Sequence, residues 1–168
     1  MQKTTSPFWT FSLSLYRMEG VAPACIELQD SAGVDVNILL FALFLAAKGR
    51  ALEAADIAEM DAALKGWRDD VVIPLRGVRR VLRSPEKSID AAQAAALRER
   101  IKAVELEAER LQQEALHALR PTEAWGVAQP PASAAPANVA AYAAYLGAVL
   151  PAAAVETMLA QLPLAQVA

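Results

Sequence analysis

Cysteine and histidine are almost missing from this chain: each occurs once among 168 residues, as Cys25 and His117. A single thiol excludes an intrachain disulfide framework and a cysteine-based zinc site. A single imidazole excludes a histidine-rich metal site built within one chain. Aromatic residues make up only 6% of the chain and glycine occurs seven times, so the usual material of strands and tight turns is scarce. A basic excess is missing too. Sixteen Lys and Arg face nineteen Asp and Glu, a net charge of −3, which argues against nonspecific nucleic-acid binding as the main task. The longest strongly apolar run, Ile38 to Ala47, is about half of what a membrane span needs. Met1 to Ser6 is polar, so a targeting segment is not expected and a reducing, cytoplasmic setting is. No Walker-type loop, GxGxxG or GxSxG is present.

What is abundant is alanine, 38 residues, with Leu, Glu and Arg. These are strong helix formers, and the expected fold is all-α. The chain divides into one helical domain at 1–120, a Pro/Ala-rich linker at 121–137 and an Ala-rich helical tail at 138–168. Within the domain, 6–49 predicts a compact core of short helices, packed against a long, kinked antiparallel hairpin at 52–120.

The short-helix core carries clear punctuation. Ser6 before Pro7 is an N-cap followed by proline at the first helical position. Gly33 is a helix stop, and Asp35 caps a helix whose apolar residues run all round, which implies burial. In the hairpin, Ile57, Met60, Leu64, Trp67, Val71, Leu75, Val78 and Leu82 are spaced by threes and fours. Pro74 sits in that stripe and should kink or split the helix. A second stripe, Ala94, Leu97, Ile101, Val104, Ala108, Leu111, Ala115 and Ala118, faces it across a short joint at Ser84–Lys87.

Three groups could carry function. Arg76, Arg79, Arg80 and Arg83 fall at i, i+3, i+4 and i+7, so one helix face presents four guanidinium groups. If the hairpin turns near Glu86, these residues lie beside 89–96, which holds a single acid, Asp90. An uncompensated face of this kind suits an anionic ligand or an acidic partner surface. Gln29, Asp30, Asp35 and Asn37 flank the turn into the central helix; they could line a polar pocket, although capping accounts for each of them. Trp125, within the proline-rich stretch, is either docked on its own chain or an anchor for another.

Enzyme chemistry finds little footing. Glu114 and His117 form half of a di-iron motif, Asp69-Asp70 lacks a companion carboxylate cluster, and Cys25 sits among apolar neighbours. No catalytic residue, metal ligand or cofactor is expected.

The segments Phe8-Trp9-Thr10-Phe11-Ser12 and Gly33-Val34-Asp35-Val36-Asn37-Ile38-Leu39-Leu40-Phe41, with Leu28-Gln29-Asp30, Pro74-Leu75-Arg76 and Arg79-Arg80, have a familiar pattern. Through these FWxFS and GxDVNxLLF motifs the chain resembles a small bacterial, proteobacterial-type family catalogued only as a domain of unknown function. The resemblance covers about residues 6–119, and Phe44 stands where similar proteins lead one to expect tryptophan. It implies a compact cytoplasmic protein and supplies no established activity, cofactor or catalytic residue.

The expected function is therefore a nonenzymatic binding or adaptor protein that holds an acidic or helical partner on the arginine face, or that associates with itself. The alternative is a small-molecule or lipid-like ligand site, conceivably enzymatic, at the Gln29/Asp30/Asp35/Asn37 end of the core.

Overall fold

The computed structural model describes residues 5–162. Its helices in chain order are α1 (Pro7–Tyr16), α2 (Val21–Ala32), α3 (Val36–Ala47), α4 (Ala54–Trp67), α5 (Ile73–Val81), α6 (Ala91–Leu119), α7 (Pro131–Leu146) and α8 (Ala152–Gln161). Two short strands, β1 (Arg50–Ala51) and β2 (Val127–Ala128), pair antiparallel with Arg50 opposite Ala128 and Ala51 opposite Val127. The fold is all-α, as the composition implies. Among the described residues no helix is long and apolar enough to cross a membrane. The chain forms two compact units, one being Ala63–Gln112 and the other the described residues before and after it.

The larger unit is organised by α3. Asp35 accepts hydrogen bonds from the amides of Asn37 (2.9 Å) and Ile38 (3.4 Å), which satisfies donors that the first turn leaves open. Every residue from Asn37 to Ala47 is buried. Phe8 of α1, capped by Ser6 Oγ on Trp9 N, places its ring 4.9 Å from Phe41 and 5.5 Å from Phe44.

The stretch 121–137 corrects an expectation. It is not an extended linker: Pro130 and Pro131 begin α7, where a missing N–H costs nothing because first-turn donors have no intrahelical partner. Pro136, inside α7, lies on its exposed side, where water can serve the carbonyl that loses its donor. α7 packs along α3, and α8 packs on α2. Asn138 joins these parts. Fully buried, it accepts from Leu52 N (2.7 Å) and donates to the carbonyls of Ala42 (2.9 Å) and Arg50 (3.0 Å). Gly126 enables the β1–β2 pairing: its φ is +46°, and a Cβ there would come within 1.9 Å of the Ala51 carbonyl oxygen.

The smaller unit is the hairpin region. Between α4 and α5, residues Arg68–Val72 form one wide π-helical turn, with Ile73 N bonding to Arg68 O. The backbone stays in the right-handed helical region on both sides of it. The expected break at Pro74 is thus absorbed as one wide turn, which removes the ordinary hydrogen-bond requirement just before the proline. The added residue rotates the following face. Val72 is buried where the expected stripe has Val71, and Val78 turns outward.

Candidate functional site

Residues 82–90 connect α5 to α6, a longer joint than the four residues expected, with Asp90 Oδ1 accepting from Gln93 N at 2.8 Å at the entry to α6. This shifts the hairpin register. Arg76 lies opposite Glu105 and Glu109 rather than opposite the alanines of 89–96: its Nε donates to Glu105 Oε1 at 3.3 Å and its Nη2 to Glu109 Oε1 at 3.1 Å. Arg79 donates to both oxygens of Glu105, whose residue is only 5% exposed. The expectation that all four arginines are uncompensated within the hairpin is corrected: Arg76 and Arg79 hold α5 to α6. Arg80 and Arg83 are exposed.

The inward face of α6 in this unit is correspondingly small and polar. Ala94, Glu105 and Ala108 are buried, and Trp67 Nε1 donates to the Ala108 carbonyl at 3.0 Å. Leu97, Val104 and Leu111, expected in the buried stripe, are exposed. On α5, Ile73, Val78 and Val81 are exposed as well, Val81 to 70%. Sequence reasoning missed this outward apolar surface, because it depends on the π-turn and on the buried glutamate. The signal that existed was Glu105, an acid in register with the arginines once the longer joint is allowed.

The polar quartet is only partly brought together. Asp35 is committed to capping, and its own amide donates to Tyr142 Oη at 2.9 Å. Asn37 is buried and accepts from Gln113 Nε2 at 2.8 Å. Gln29 and Asp30 lie at the end of α2, bonded to each other at 3.5 Å, with Asp30 exposed.

Trp125 is completely buried. Its ring meets Phe41 edge-on at 5.8 Å, and the Arg120 guanidinium lies 4.5 Å from its centroid. Arg120 also donates to Glu59, with Nε at 2.9 Å from Oε1, while Arg50 fixes the Trp125 and Gly126 carbonyls at 2.6 and 2.7 Å. The partner-anchor expectation is corrected: Trp125 docks on its own chain.

Cys25 faces Met158, sulfur to sulfur at 3.7 Å, and burial pushes its thiol up to about 12. A thiol so suppressed is a packing residue rather than a nucleophile.

A family model described as a protein of unknown function, DUF2390, matches residues 7–116, about two thirds of the chain. The chain belongs to the DUF2390 family. Neither the curated proteins nor the solved structures contain a match to it. The DUF2390 match includes Arg76, Arg79, Arg80, Arg83 and the quartet around Asp35, and it stops before Trp125. α7 and α8 lie beyond the DUF2390 match yet supply Asn138, Tyr142 and Met158 to the larger unit's interior.

Proposed function

We propose that the protein is a nonenzymatic helical adaptor that holds an acidic, helical partner on the outer face of α5. The observation that carries this reading is the apolar imbalance of Ala63–Gln112. Among its described residues, Leu64, Val72, Ala94 and Ala108 are the buried apolar residues, against nine large apolar side chains left exposed. Three of the nine, Ile73, Val78 and Val81, stand on α5, and covering apolar surface contributes about 25 cal/mol per Å².

Ile73, Gly77, Arg80 and Val81 share one face of α5 by their spacing. A Cβ at Gly77 would meet nothing within 4 Å, which leaves room for a close-lying helix. Arg83 supplies planar donors for carboxylates, and Arg80, which already has a partner within the chain, has further guanidinium donors to share, so an acidic partner is preferred. Arg76 and Arg79 act indirectly, by tying α5 to Glu105. The net charge of −3 disfavours nucleic acid as the occupant. The single, buried, unreactive thiol agrees with a bacterial cytoplasmic setting.

The test compares the tagged full chain with V81D and with R80E/R83E, purified gently from a related host. A stoichiometric polypeptide should accompany the parent and be lost from both variants, with helical circular dichroism unchanged and Tm within about 2 °C. Retention of that polypeptide by both variants contradicts the proposal. Small anionic ligands are the competing outcome: R80E/R83E would abolish their binding while V81D would leave it intact.

A further inference from the structure

We infer that the chain also pairs with a second copy of itself, antiparallel, through α6 about a two-fold axis at Val104. This goes beyond the adaptor reading and uses a different helix. Leu97, Val104 and Leu111 are 39%, 52% and 40% exposed and recur every seven residues, two helical turns, so they form one line about 21 Å long. Between them, three residues beyond Leu97 and Val104, stand Arg100 and Glu107. Along α6 the stripe reads apolar, positive, apolar, negative, apolar.

That order is self-complementary in one direction only. Inverting α6 about Val104 brings Leu97 level with the second copy's Leu111, and Arg100 within one residue of its Glu107. A parallel pair would set Arg100 against Arg100 and Glu107 against Glu107, which like-charge repulsion disfavours. Arg100 makes no ion pair among the described residues. Glu107 accepts from Arg110 at 2.8 and 2.6 Å, and a carboxylate has lone pairs left for a second guanidinium. Ala96 and Ala103, seven apart on the outer flank, carry only methyl groups and let the helices approach.

Sedimentation equilibrium on the full chain tests this. The parent should dimerise below about 100 µM, R100E and E107R should each weaken the dimer by about tenfold or more, and R100E/E107R should restore it to within about threefold. V81D should leave the dimer unchanged, which separates this inference from the adaptor reading. If a charge variant fails to fold, V104C in a C25A background serves instead: oxidation should yield a disulfide-linked dimer, and L97C should not. A monomeric parent, a dimer that neither reversal weakens, or a double variant without rescue overturns the inference.

Discussion

Arg79 meets Glu105 through two donors: its guanidinium Nε and Nη2 both bond to the carboxylate, the latter at 3.2 Å, and the same Oε1 receives Arg76 Nε at 3.3 Å. One nearly buried acid thus holds two arginines of α5 against α6. It does so where an apolar side chain would ordinarily stand, so charge helps to close the hairpin while Val78, Val81, Leu97, Val104 and Leu111 are left exposed.

Replacing Glu105 by Gln should therefore loosen α5 more than a surface substitution would. The arginines are about one-fifth exposed, so solvent recovers part of their hydration. We expect a loss of about 2 kcal/mol in urea unfolding, with faster amide exchange confined to α5. A loss below about 0.5 kcal/mol would make the pairing a surface ornament.

Trp125→Ala should destabilise by about 3–5 kcal/mol, because it empties a buried site against Phe41 and removes the ring under Arg120. An anchor waiting for another protein would instead leave thermal stability unchanged, so a melting curve separates the two roles.

Much of the larger unit was legible because its signals are local. Ser6, Gly33 and Asp35 punctuate helices through short-range hydrogen bonds, and the all-round apolar surface of α3 has no reading except burial. The hairpin's surface was less legible. Which faces of α5 and α6 meet depends on one extra residue in the π-turn and on a joint spanning 82–90, neither of which leaves a periodic trace. The proline-rich stretch misled for a related reason: proline reads as extended in isolation, yet Pro130 and Pro131 occupy a helix start. Trp125 could not be placed from sequence, since its site is made by Phe41 and Arg120, both distant along the chain from one another.

Gly126→Ala should cost at least about 2 kcal/mol. The added methyl would collide with the Ala51 carbonyl, and the backbone is held at positive φ. Amide exchange should rise at Gln129, whose N–H bonds to Gly49 O at 2.9 Å beside the β1–β2 pair. A thermal melt matching the parent would contradict the close approach.

Cys25 should resist alkylation at pH 8 in the native protein and react promptly in denaturant. Its folded pKa of about 12 lies above the ordinary 9.0, so the thiol stays neutral when folded. The sign follows directly: the unfolded chain loses this proton first, and stability falls as pH rises from about 9 toward 12, by up to about 1.4 kcal/mol per pH unit. Stability flat across that window would contradict the burial of the thiol.

The adaptor claim is met most directly by photo-crosslinking in cells, with the reactive residue placed at position 81 on α5 and, as a control, at the exposed position 26 on α2. One discrete protein adduct is expected from position 81, absent from position 26 and abolished by R80E/R83E. Equal adducts from both positions, or none from position 81, would contradict the adaptor claim.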